Sequence, residues 1–253
     1  EYVLELYGKL HCYYAPINTT PITSTVSVHT SVLTMTPGSP GRLSVVGTSR
    51  NLTESGEWGS GNSGTVNTFA IEIAADPNAT IALGASVKAG EWSLVSGVLD
   101  ANNVRISADR GANGTGDVTI GANATLVSSA SGATPMVSRI GSSPSGVLTL
   151  EGRLVVKGGS PSIGMTSFAL NGVVEYAGVG QTLLRATAGG ITPTVYSTLV
   201  VTNTGAKNLA ADTTVTTRLV RGGTSSLALG ANTLTYGPGA ALEYAGTAAQ
   251  ATG

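Results

Sequence analysis

Apolar residues recur at every second position in short runs along this chain, as in "VTI" (118–120), "LTLEGRLVV" (148–156) and "TLTY" (233–236). A period of two places the apolar side chains on one face of a strand, and the runs stop at Gly, Asn-Ala or Pro, the residues that turn a backbone. The pattern therefore predicts short strands joined by tight turns, with no helical stretch.

The runs also repeat. "NTFAIEIAADPNATIALGASVKAGEWSLVSGVLDANNVRI" (67–106) and "YSTLVVTNTGAKNLAADTTVTTRLVRGGTSSLALGANTLTY" (196–236) follow one grammar: an alternating strand, a polar turn, Val87 or Val215, then a turn with Gly and Ser before Leu99 or Leu227. "GDVTIGANATLV" (116–127) and "SGVLTLEGRLVV" (145–156) share a shorter theme of strand, turn and strand. "GVVEYAG" (172–178) and "AALEYAG" (240–246) share Glu-Tyr-Ala-Gly 68 residues apart. One such strand pair cannot bury its own apolar face, whereas stacked copies form a continuous core. The expected architecture is a right-handed parallel β-helix, with an antiparallel β-sandwich repeat as runner-up. At roughly 20 to 25 residues per coil and about 4.8 Å between stacked strands, the chain would make about 10 to 12 coils in a rod about 50 Å long. On this reading "EYAG" marks one corner of one coil type, Gly178 and Gly246 supplying the turn, and the duplication is architectural.

Composition sharpens this picture. Glycine takes 35 of 253 positions, only 11% of residues are charged, and the net charge is −1. That balance leaves no electrostatic footprint for nucleic acid or anionic membrane. No run approaches the ~18 apolar residues of a membrane-spanning helix. Cys12 is the only cysteine, so no disulfide can form within the chain. The opening "EYVLELYGKLHCYY" has neither the basic start nor the apolar run of a signal peptide, so an exported chain is expected here in its mature form.

"NGVVEYAGVGQT", the run 196–236 and "ALEYAGTAAQATG" resemble the strand-rich repeat modules of large extracellular, adhesin-like surface proteins of Bacteroidota, which are often exported by type IX secretion. The resemblance covers residues 67–253. It implies an extracellular β-solenoid with a structural or adhesive role, and it carries no catalytic residues.

The residues themselves give little chemistry. Arg105, Asp109, Arg110, Asn113 and Asp117 fall within 13 residues, where three oxygen side chains in a Gly-rich segment could hold a hard cation; the spacing fits no known calcium loop, and a solvated turn is the expected reading. His11 and His29 are the only histidines and stand in no metal or catalytic motif. No phosphate loop is present. Trp58 and Trp92 could stack on sugars but more often fill a cap or corner. Asn18, Asn51, Asn78, Asn113 and Asn123 begin N-x-[ST] sequons, and Thr213 in "DTT" is a candidate O-glycan acceptor. Catalytic residues, metal ligands and cofactors are all expected to be none.

The ends are distinctive. Four of the eight tyrosines, Tyr2, Tyr7, Tyr13 and Tyr14, lie in the first 14 residues, and "YVLELYGKL" reads as a sticky strand. The chain divides into a Tyr-rich cap or assembly region (1–66) and the repeats (67–253). Strand edges at solenoid ends recruit other strands. The leading expectation is a non-enzymatic extracellular filament protomer, self-associating head to tail through Tyr2, Leu4, Leu6, Tyr7, Tyr13, Tyr14, Leu242 and Tyr244. Residues 1–14 could instead cap their own solenoid. The alternatives are a monomeric adhesin or carbohydrate-binding stalk with a glycan or surface contact, and last a polysaccharide lyase.

Overall fold

The computed structural model describes residues 2–14, 22–35, 42–52, 70–109, 116–139, 145–187 and 189–246, the segments before Val45 as backbone, and contains only strands and turns among them. Strands Arg42–Gly47, Ala70–Ala75, Glu91–Asp100, Val118–Ser128, Arg153–Val156, Val173–Tyr176, Val195–Val201, Thr213–Arg221 and Leu234–Tyr236 lie side by side in that order, each parallel to the next. Val147–Leu150, Ser167–Leu170 and Ala241–Tyr244 extend the same bent sheet. The remaining side is closed by a five-stranded sheet, from Val87–Ala89 to Arg185–Ala186, and a three-stranded one of Gln181–Thr182, Thr204–Asn208 and Thr224–Ala228. The chain thus winds as a parallel β-helix of about 7 turns.

The stacking follows from the alternation. Leu99, Leu126, Leu154, Val174, Leu199 and Leu219 stand opposite one another coil after coil, each no more than 1% exposed. A second row, Leu94, Ile120, Leu150 and Leu170, lines the adjacent side. Each fully buried side chain of this size contributes roughly 1.5 to 3 kcal/mol before ordering costs. Between the two rows the chain turns a corner, and three register shifts fall there, between Ile73 and Ala74, between Ile120 and Asn123 and between Tyr196 and Thr198. Glycine is required at this corner for closeness: a Cβ on Gly172 would strike the carbonyl oxygen of Gly152 one coil back. Asparagine amides brace the turns, Asn102 donating to the Leu83 carbonyl, Asn203 to that of Ala177 and Asn232 to that of Leu209.

The parallel pairing excludes the sandwich. The turns number fewer than the 10 to 12 expected, because coil length varies: Val173 lies 20 residues beyond its register partner Arg153, but Leu148 lies 30 beyond its partner Val118. Arg42–Gly47 pairs in parallel with Ala70–Ala75. Ahead of it, Tyr2–Tyr14 and Ile22–Met35 form an antiparallel two-stranded sheet. Ile22–Met35 is the member that lies against Arg42–Gly47.

Candidate functional site

The acidic cluster of the sequence dissolves into structural contacts. Asp109 forms an ion pair with Lys88 at 2.9 Å, both side chains under 8% exposed, one coil apart. Asp117 Oδ1 accepts the Val147 backbone N–H at 2.9 Å. The Arg105 backbone N–H donates to Ser86 Oγ at 3.1 Å, while Arg110 and Asn113 lie outside the described residues. No group of three or more His, Cys, Asp or Glu side chains placed to hold a metal ion occurs among the described residues. Asp109 thus meets an ammonium where a cation ligand would need open space.

Two polar arrangements inside the solenoid escaped sequence reasoning. Lys207 and Gln181 stand opposite one another in adjacent coils, at 0% and 1% exposure. The Gln181 amide donates to the carbonyls of Val156 and Gly158 and accepts the Gly178 N–H, so it ties down the "GVGQT" turn. Lys207 Nζ donates to the carbonyls of Gly178 and Thr204, and burial holds its ammonium below the ordinary lysine range. A lone Lys in an alternating strand carries no mark of facing inward. The second arrangement is a pair of buried tyrosines. The hydroxyls of Tyr176 and Tyr196 lie 3.4 Å apart, and Tyr176 also accepts the Leu184 N–H at 2.9 Å.

Tyr176 belongs to the first "EYAG", and the register explains the second. Val174, Glu175 and Tyr176 stand opposite Leu199, Val200 and Val201; these stand opposite Leu219, Val220 and Arg221, and these opposite Leu242, Glu243 and Tyr244. The two copies therefore occupy one row, three coils apart. Each contacts the coil before it in the same way: Glu175 pairs with Arg153, and Glu243 pairs with Arg218 at 3.1 Å. They differ on the other side. Glu175 Oε1 accepts the Thr202 hydroxyl at 3.0 Å, and Leu199 covers Val174. Among the described residues no strand follows Ala241–Tyr244, and Leu242 is 45% exposed at the end of a row whose other members are buried.

The last described coil leaves several apolar side chains uncovered. Leu229, Tyr236 and Leu242 are exposed there, and Leu227 and Leu234 are only partly covered. Arg221 reaches over the ring of Tyr244, 5.4 Å from its centroid, and donates to the Ser225 carbonyl. Partial burial, then Tyr244, raise the Tyr236 phenol, while Arg221 lowers it.

The other candidates are placed as follows. Leu242 and Tyr244 lie on this end. Tyr2, Leu4, Leu6, Tyr7, Tyr13 and Tyr14 lie on strand Tyr2–Tyr14, with side chains outside the described residues, as are those of His11 and His29. The Thr213 hydroxyl is buried and donates to the Ala211 carbonyl, which turns it away from a modifying enzyme in the folded chain. Trp92 is 1% exposed and its indole N–H donates to the Ser107 carbonyl, so it packs the core and presents no face to a sugar; Trp58 lies outside the described residues. No helix among the described residues is long and apolar enough to cross a membrane. No family model, curated protein or solved structure matches this chain.

Proposed function

We propose that this chain is a structural protomer of an extracellular fibre, joined head to tail through strand pairing at its two ends. The observation that carries the reading is the position of two unextended strand edges. At one end Tyr2–Tyr14 pairs only with Ile22–Met35, which in turn lies against the first coil, so Tyr2–Tyr14 is outermost among the described strands. At the other end Ala241–Tyr244 is outermost among the described strands, and Leu242 is 45% exposed. A second copy brings the Tyr-rich strand to the open coil, adding backbone hydrogen bonds along "YVLELYGKL" and covering Leu242, Tyr236 and Tyr244. The two surfaces are different, so the contact is heterologous, and it gives a fibre when the rotation between successive copies does not close into a ring.

The extracellular setting rests on the resemblance to Bacteroidota surface modules. A non-enzymatic role accords with the Asp109–Lys88 pairing, although parallel β-helices serve both enzymes and scaffolds. The test is deletion of residues 1–14, followed by circular dichroism, light scattering and negative-stain microscopy. The expected product keeps its β signal and no longer polymerises. A full-length chain that stays monomeric at all concentrations would replace the fibre by a monomeric adhesin or carbohydrate-binding stalk. Loss of the β signal on deletion would make residues 1–14 a cap of their own solenoid.

A further inference from the structure

Tyr2–Tyr14 and Ile22–Met35 form an antiparallel ribbon of 13- and 14-residue strands, about twice the length usual in a globular sheet. At period two, Tyr2, Leu4, Leu6, Leu10, Cys12 and Tyr14 share one face of the first strand. In the second strand the apolar positions change parity, from Ile22, Val26 and Val28 to Leu33 and Met35. The register shifts where they do: between the Leu6–Ser31 and Gly8–Val28 pairs, Tyr7 stands where the partner strand has His29 and Thr30. A bulge of one residue returns Leu33 and Met35 to the face of Val28, opposite Leu4 and Tyr2. The ribbon is thus apolar on one side along its whole length, interrupted only by Gly8, Ser24 and Ser31. The other face carries Glu5, Lys9 and His11, with Ser27 and Thr25 opposite the last two, and its aliphatic members are Val3 and Val32.

We propose that this ribbon is a membrane-spanning β-hairpin, and that several copies of the chain close their ribbons into one barrel across a phospholipid bilayer. The dimensions select a bilayer over a protein partner. Tyr2 and Tyr14 bound the apolar face at its two ends, about 40 Å apart along a strand that rises ~3.3 Å per residue. At the ~45° tilt of barrel strands this spans about 28 Å, close to the apolar band of a membrane barrel between its aromatic girdles. A layer of fixed thickness asks for aliphatic residues between two aromatic boundaries, whereas the surface of a protein partner sets no such spacing. The face with Glu5, Lys9, His11, Thr25 and Ser27 suits the water-filled side of a barrel. Hydrocarbon tolerates no open sheet edge, and the smallest such barrels have about eight strands, so about four copies or more are needed. The ribbon is a sheet of its own, and Ile22–Met35 lies against Arg42–Gly47 without ladder pairing, so its departure from the coil breaks no strand pair. The proposal goes beyond the fibre reading: an edge closed into a barrel is withdrawn from a fibre, and the two are separate states of the chain.

The experiment attaches the environment-sensitive fluorophore nitrobenzoxadiazole to Cys12, the only cysteine of the full-length chain, and adds phosphatidylcholine vesicles. The same label is placed next door in turn, as Lys9→Cys, Leu10→Cys and His11→Cys, each in a Cys12→Ser chain. On adding vesicles, emission should rise and shift to the blue at positions 10 and 12 and stay unchanged at 9 and 11, an alternation that belongs to a strand with one lipid face. Dye-loaded vesicles should leak. Leu6→Arg, a charge on the apolar face, should cut leakage roughly tenfold, whereas Thr25→Asn on the polar face should leak as the parent does. Crosslinking of the vesicle-bound chain should give species of about four copies or more. Equal emission changes at even and odd positions, or no change at any, overturn the proposal. A Cys12 label that turns blue without vesicles, as protein concentration alone rises, also overturns it and seats the apolar face on a second copy. A bound chain that stays monomeric overturns the barrel.

Discussion

The hydroxyls of Tyr176 and Tyr196 meet at 3.4 Å between two consecutive coils, in a core that is otherwise almost wholly aliphatic. Burial raises the Tyr176 phenol well above its ordinary value, with Tyr196 adding to the shift, and burial likewise raises Tyr196 to about 12. A raised value means that the folded state holds its proton more tightly than the unfolded one. The stabilisation is complete below the ordinary tyrosine value of 10.0 and is lost as pH rises through the folded values. Urea unfolding should therefore show stability falling between pH 10.0 and about 12. Spectroscopic titration should find two phenols that ionise only with unfolding. A stability that stays flat over this range would contradict the assignment.

The two tyrosines should not be equivalent on mutation. Tyr176→Phe removes the acceptor of the buried Leu184 N–H and should cost about 1 to 3 kcal/mol. Tyr196→Phe loses the contact with Tyr176 and a longer one of 3.5 Å to the Pro193 carbonyl, and should cost about 1 kcal/mol or less. Chemical denaturation of both variants checks the order.

Leu150→Asp should be severely destabilising. Leu150 is 0% exposed, between Ile120 and Leu170 in adjacent coils, and a carboxylate there would be buried in an apolar row. A loss of more than about 4 kcal/mol is expected, read as a large drop in Tm or as insoluble protein.

Asp109→Ala should cost about 3 to 5 kcal/mol, because it leaves the buried Lys88 ammonium short of its counter-charge. The double substitution Lys88→Met with Asp109→Leu should recover most of that loss, which distinguishes charge from packing. Millimolar calcium should leave the parent Tm unchanged if the carboxylate is committed to Lys88.

Lys207 gives a pH effect of the opposite sign to the tyrosines. Its folded value is lowered by burial, so below that value both states carry the proton and the cost of the buried charge is constant. Between the folded value and the ordinary 10.5, only the unfolded state holds the proton, and stability rises with pH. Lys207→Met should abolish this rise and be neutral or stabilising at neutral pH, within about 1 kcal/mol. Denaturation across the alkaline range, compared with the parent, provides the measurement.

The alternating runs determined by themselves that this chain is made of strands, and the repeated grammar that those strands stack. A strand such as Arg153–Val156 cannot cover its own apolar face, so a further copy of the same pattern must do so. The "EYAG" duplication was legible as architecture for the same reason. What the sequence did not contain was coil length. Turns of variable length leave no periodic trace, and only the closed backbone fixes whether 20 or 30 residues separate two stacked positions. Nor did it mark Lys207 and Gln181 as interior, because a strand assigns a polar residue to the inner face whenever the coils around it offer carbonyls to bond. Asp109 read in the chain as part of a solvated turn, with a cation ligand as the alternative, and became half of a buried ion pair only when folding set Lys88 beside it, a coil away. The different burial of Val174 and Leu242 was likewise decided in three dimensions: their neighbours in sequence are alike, and only the stack lays Leu199 over Val174.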